Sequence, residues 1–131
     1  MRTINDLCDT VRQTAYDIHV YHANGHLEKV YENALKIELN KLGIDVRQQV
    51  KLPVWYEGHR VGVYFPDLWI EQQLIIEIKA SLTLAPEHET KLLHYLTATG
   101  IDNGLLINFG SSVQVRRKFR EYTTITSAEV R

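Results

Sequence analysis

Leu74-Ile75-Ile76-Glu77-Ile78-Lys79-Ala80 sets a carboxylate and an ammonium inside a run that otherwise reads as a buried β-strand. Side chains alternate along a strand, so Leu74, Ile76 and Ile78 share one face while Ile75, Glu77 and Lys79 share the other. The two charges therefore emerge side by side. Upstream, Pro66-Asp67 follows a second apolar run, Val61 to Phe65, and the connection Glu71-Gln72-Gln73 would fold the two segments into a hairpin. Such a hairpin brings Asp67 beside Glu77 and Lys79.

An Asp and a Glu on one sheet edge repel each other, and a buried carboxylate is costly unless it is neutralised or paired. A divalent cation removes both penalties. Mg²⁺ prefers oxygen ligands and keeps waters, so Asp67, Glu77 and a main-chain carbonyl such as that of Ile78 would suit it, leaving a side open for a phosphate. Lys79, protonated, is no ligand; it can orient or deprotonate a water, or stabilise charge on a phosphoryl oxygen. A Glu-Lys pair on the solvated face of an antiparallel sheet satisfies the same local pattern.

At 131 residues, the chain has the length of one domain with a real core, and 44% hydrophobic and 24% charged residues are the proportions of a globular protein. No window approaches eighteen uninterrupted apolar residues, and Met1 to Asp6 lacks the layout of a secretion signal, so a cytoplasmic location without membrane association is expected. The single cysteine, Cys8, allows no intrachain disulfide or cysteine-based zinc cluster and reads as a small apolar residue of a helix core. A formal charge of −1 argues against gripping a polyanion over the whole surface. Locally, Arg116-Arg117-Lys118-Phe119-Arg120 holds four cations and no anion, which suits phosphate contacts through Arg116 and Arg117 or, equally, the protection of an edge strand.

Apolar spacings of three and four predict a helix from about Thr3 to His22, ended by Asn24-Gly25. A second is expected from about His26 to Leu42, with a broad face of Leu27, Val30, Tyr31, Ala34, Leu35, Ile37 and Leu42, and Gly43 as its stop. Strands follow at Val46 to Tyr56, with Pro53 marking an edge or bulge, at Arg60 to Phe65 extending to Ile70, and at Leu74 to Ala80. Pro86 opens a helix that runs to about Thr99 and stops at Gly100. Asn103 to Phe109 reads as a buried central strand and Val113 to Phe119 as a last one, ending at Glu121-Tyr122. The order predicts an α/β architecture, a mixed sheet flanked by helices.

Gly25-His26-Leu27-Glu28-Lys29-Val30-Tyr31 has a Gly-x-x-Glu-x-x-Tyr pattern. It is followed by Pro66-Asp67, by Glu77-Ile78-Lys79, by a helix carrying His88-Glu89 and Tyr95, and by Gly104-Leu105-Leu106-Ile107-Asn108-Phe109-Gly110. This succession resembles the small "GxxExxY proteins" of the PD-(D/E)XK nuclease superfamily, over roughly Leu27 to Gly110. The resemblance implies a restriction-endonuclease-like αβββαβ core, at about residues 26–110 of a single domain, and a Mg²⁺- or Mn²⁺-dependent phosphodiesterase site. By position, Asp67 and Glu77 would be metal ligands, Lys79 the catalytic lysine and Glu28 a further acid. On a helix Glu28 and Tyr31 share one side, from which both can reach toward the hairpin.

The superfamily often carries a Gln-x-x-x-Tyr pair on the helix after the catalytic strand. Here Lys91 stands in the glutamine's place, four residues before Tyr95 and on the same helix face. A lysine there favours a phosphate and disfavours a bound metal, while Tyr95 suits either a substrate contact or the core. His88 and Glu89 can face the site from the helix start. The implied partner is nucleic acid, with DNA ahead of RNA, and cutting both strands of a duplex would call for a symmetric homodimer. The competing reading is a nuclease scaffold without turnover that binds nucleic acid or a protein.

Overall fold

The computed structural model describes residues 2–23 and 25–120. Helix α1 (Ile4–His22) opens with a capping box: Thr3 Oγ1 accepts from the Asp6 amide at 3.1 Å, and the Asp6 carboxylate accepts from the Thr3 amide at 3.3 Å. It buries Leu7, Cys8, Val11, Ala15 and Ile18, and burial raises the pKa of the Cys8 thiol. Helix α2 (Glu28–Lys41) buries Tyr31, Glu32, Leu35 and Leu39. This stripe is narrower than the broad apolar face expected for it, because Leu27, Val30, Ile37 and Leu42 are all exposed. One supporting surface beneath the helix admits only the i, i+4, i+8 row and its neighbour.

Two of the expected strands divide. The segment from Val46 to Tyr56 breaks at Gln49, whose φ of +52° turns the chain, into β1 (Val46–Gln48) and β2 (Leu52–Tyr56). The segment from Arg60 to Ile70 breaks at Pro66, which has no N–H for a ladder, into β3 (His59–Tyr64) and β4 (Leu68–Ile70). After the divisions β2 and β3 pair only with each other, as a separate two-stranded hairpin. A five-stranded mixed sheet remains, in the order β1-β4-β5-β6-β7, with β5 (Leu74–Lys79), β6 (Asn103–Phe109) and β7 (Val113–Phe119). The expected end of β7 at Glu121-Tyr122 lies outside the described residues.

Among the described residues only the β5–β6 pair is parallel, and helix α3 (Pro86–Thr99) supplies its crossover. At Gly104 a Cβ would sit 3.1 Å from Leu92 on α3, so this glycine lets the helix press onto β6. The sheet has two unlike faces. Ile76, Ile78, Leu105 and Ile107 pack under α1 and α2, while Ile75 and Leu106 pack under α3 and the β2–β3 hairpin with Leu52, Tyr64, Leu92 and Leu96. Among the described residues no helix is long and apolar enough to cross a membrane.

Candidate active site

Strands β4 and β5 pair with Leu68 opposite Ile76, so one step further along the same register Asp67 stands opposite Glu77. Two hydrogen bonds lock that step. The Asp67 amide donates to the Glu77 carboxylate, and Asp67 Oδ2 accepts from the Ile78 amide at 2.7 Å. Glu77 and Lys79 point to the α3 face, as strand alternation requires. Burial pushes the Glu77 carboxyl from 4.5 up to about 7, against the pull of Lys79, the Asp67 amide and Lys91. Burial also raises Asp67; the Ile78 amide opposes it, Glu32 and Glu28 add to it, and Lys79 opposes it. Among the described residues no arginine forms an ion pair with either carboxylate.

Beside Glu77 lies a cavity of about 280 Å³, lined in part by Lys79, His88, Lys91 and Tyr95 and walled by Val63, Tyr64 and Phe65 of the hairpin. The Tyr64 hydroxyl donates to Glu77 Oε1, and the Tyr64 ring stacks on Tyr95 with centroids 3.6 Å apart and planes 10° apart. Lys91 Nζ lies 5.7 Å from the Tyr95 centroid, so the lysine and the tyrosine do share the face that their spacing implied. His88 Nδ1 accepts from the Ala85 amide at 3.3 Å and so also fixes the start of α3, while Glu89 is drawn to Lys118 at 2.8 Å. Tyr64 was not among the residues singled out from sequence. It ends an apolar alternation, and nothing local distinguishes it from a core tyrosine.

The acids of α2 divide. Glu28 is exposed in the first helical turn, whereas Glu32, four residues on, is only 3% exposed and accepts from Lys29 Nζ at 2.9 Å and from Gln48 Nε2 at 2.6 Å. Both raise the Asp67 carboxyl, Glu32 more strongly. Glu32 was missed in the sequence, although its position beside the Tyr31-Leu35-Leu39 stripe is the signal that it would be buried. Among the described residues no three His, Cys, Asp or Glu side chains gather closely enough to hold an ion.

Other candidates lie elsewhere. Tyr31 is fully buried: its ring stacks on Phe109, its hydroxyl donates to the Ala23 carbonyl at 2.9 Å and accepts from the His26 amide at 3.3 Å. It fastens the α1–α2 connection and is not available to a substrate. Arg117 faces the opposite side of the sheet, in register with Leu105, and donates to Asn5 at 2.7 Å and Asn103 at 3.2 Å. Arg116, in register with Leu106, is exposed on the α3 side. Asn108, fully buried, grips the exit of β5: Oδ1 accepts from the Ser81 amide at 3.0 Å and Nδ2 donates to the Ser81 carbonyl at 2.9 Å.

A mixed sheet whose central antiparallel pair sets Asp, Glu and Lys together on one face is a restriction-endonuclease-like architecture. The family model for the PD-(D/E)XK nuclease superfamily matches residues 5–121, and the chain belongs to that superfamily. Among solved structures, the crystal structure of SSO0001 is similar, with a TM-score of 0.55 at 18% identity over 72% of this chain and 50% of that one. The likeness is one of fold, and this chain spans half of that protein's length. No curated protein matches the sequence.

Proposed function

We propose that this chain is a divalent-cation-dependent phosphodiesterase acting on nucleic acid, with Asp67 and Glu77 as metal ligands and Lys79 as the catalytic lysine. The observation that carries the reading is the pair Asp67 and Glu77, abreast across the β4–β5 register and part-buried, with Lys79 two residues along and, among the described residues, no arginine ion-paired to either. The donor set fits Mg²⁺ or Mn²⁺: both ligands are hard oxygens, Asp67 Oδ2 is pinned by the Ile78 amide while Oδ1 accepts no hydrogen bond among the described residues, and the Ile78 carbonyl can add a neutral oxygen. Bound there, the ion would polarise a phosphate and lower the pKa of a water. Two carboxylates rather than three leave more positions to water, which suits Mg²⁺.

The chain's own groups then take defined parts. Lys79 orients the attacking water and offsets charge on the phosphoryl oxygens. Glu28 and Glu32 enrich the negative potential at Asp67 and so favour a cation there over a bare carboxylate pair. Lys91 and Arg116, both on the α3 side, suit the flanking phosphates. The finer kinship with the GxxExxY proteins rests on the Gly25 to Tyr31 motif, in which the tyrosine serves the fold. We read the protein as a cytoplasmic single domain, with DNA the preferred substrate and a homodimer the form for cutting duplex.

Glu77→Ala tests the assignment against single-stranded, duplex and branched substrates. Metal-stimulated cleavage is expected to fall below about one-thousandth of the parental rate with the fold intact; cleavage at the parental rate sinks it. A second reading, a scaffold that binds without turnover, draws on the Tyr64–Glu77 hydrogen bond and on Lys91, which together occupy and counter the carboxylate an ion would need. Calorimetric titration with Mn²⁺ separates the two. Catalysis requires binding that Asp67→Asn abolishes, whereas an inert scaffold releases no heat with either protein.

A further inference from the structure

The β2–β3 hairpin stands outside the main sheet and carries an unusual surface. Trp55 is 55% exposed, Tyr56 63% and Phe65 51%. Among the described residues none of these three rings is engaged in a ring stack or a cation–π contact. Their faces are therefore open. Positive charge lies on this side as well: among the described residues Lys51 and Arg60, at the hairpin, form no ion pair, and neither do Lys79 and Lys91, which face Glu77 in the adjoining cavity; Lys36, Arg116 and Arg117 elsewhere are also without one, whereas Arg2, Arg12, Lys29, Lys41, Arg47, Lys118 and Arg120 are paired. Trp55 and Arg60 are cross-strand neighbours, so an aromatic face and a guanidinium sit together near the hairpin tip.

Open aromatic faces set beside free cations are the recognition chemistry of unpaired nucleotides, whose bases stack without regard to sequence while the backbone meets positive charge. A duplex offers neither exposed base face nor the flexibility to wrap a hairpin. We infer that the β2–β3 hairpin is a platform for single-stranded nucleic acid, leading an unpaired strand from Trp55 and Tyr56 toward Phe65 and the cavity beside Glu77. The inference rests on the reading above that the ligand of this site is nucleic acid, and it adds that the strand is unpaired. Geometry supports the path: Arg60 and Tyr64 are four residues apart on one strand, roughly 13 Å, and Tyr64 and Phe65 form the cavity wall. Another exposed apolar patch, around Tyr21, Ile37 and Leu42 between α1 and α2, differs in its charge, since the lysine that lines it, Lys41, is paired with Glu38.

The test is binding without turnover. Fluorescence anisotropy, in EDTA so that nothing is cleaved, would compare labelled oligo(dT), oligo(rU) and a duplex of mixed sequence on the parental protein and on the double variant Trp55→Ala, Tyr56→Ala. Both side chains are exposed, so thermal melting is expected to coincide for the two proteins. At least one single strand is expected to bind tenfold or more tighter than duplex, with that advantage lost in the double variant and weakened on raising salt. A second variant, Lys51→Gln with Arg60→Gln, is expected to weaken single-strand binding about tenfold as well. Equal loss for single strand and duplex, no loss, or no single-strand binding by the parental protein overturns the proposal. So does a dimer, seen by sedimentation, that the double variant dissociates. Cleavage is read separately: a protein that binds single strands through the hairpin yet never cuts keeps this inference and refutes the phosphodiesterase.

Discussion

The two faces of the central sheet are built from the same strands and do opposite things. Under α1 and α2 lies a large apolar core in which Ile76, Ile78, Leu105 and Ile107 are fully buried. On the reverse, under α3 and the hairpin, a smaller apolar cluster surrounds Glu77, held in a setting that penalises its charge. On the proposed reading, neighbouring residues of one strand serve stability and chemistry separately. The large core can sustain an ionisable group that the smaller face does not fully satisfy.

That contrast is sharpest at adjacent positions. Ile76→Ala is expected to destabilise the protein by about 3–4 kcal/mol in chemical denaturation, as a void in a dense core does. Glu77→Ala, one residue along, is expected to leave stability unchanged or raised while abolishing activity. If both cost the same, the division of labour between faces fails. Asn108→Ala comes next, at about 2 kcal/mol, because the part-buried Ser81 amide and carbonyl each lose a partner. Lys79 is two residues before Ser81, so cleavage should drop along with the melting temperature.

The third effect is a dependence on pH. Glu77 has a folded-state pKa of about 7 against 4.5 unfolded, so its contribution to stability is fully present below about pH 4.5 and is lost as the pH rises through about 7. Asp67, also raised, acts in the same direction. The metal-free protein is expected to melt at lower temperature at pH 8 than at pH 5, with a difference of about 2–3 kcal/mol at most. Glu77→Gln flattens this slope, and Mn²⁺ opposes it because the ion binds the deprotonated carboxylates. A slope that survives Glu77→Gln points to other groups.

Most of the fold was legible because its signals are local. Alternation marked β5, Pro86 and Gly100 bracketed α3, and the apolar run Leu105-Leu106-Ile107 within Asn103 to Phe109 marked a central strand. The detached hairpin was not, since Gln49 and Pro66 each break a run whose composition continues across the break. At the site, strand alternation placed Glu77 and Lys79 on one face, while the Tyr64 hydroxyl and the burial of Glu32 depend on which elements meet in three dimensions. The basic run at Arg116 shows the same limit. Arg117 and Lys118 turn to opposite sides and are held by Asn5 and Glu89, respectively, although they are consecutive in the chain.

The hairpin's isolation has a consequence for how such a protein can change. Because β2 and β3 share no ladder with the five-stranded sheet, residues can be added or exchanged at the Glu57-Gly58 turn without shifting the alignment of Asp67 with Glu77. On the proposed roles of the hairpin and of the Asp67–Glu77 pair, ligand preference and reaction chemistry can be altered independently, and grafting a loop at that turn is the most direct route to a retargeted relative.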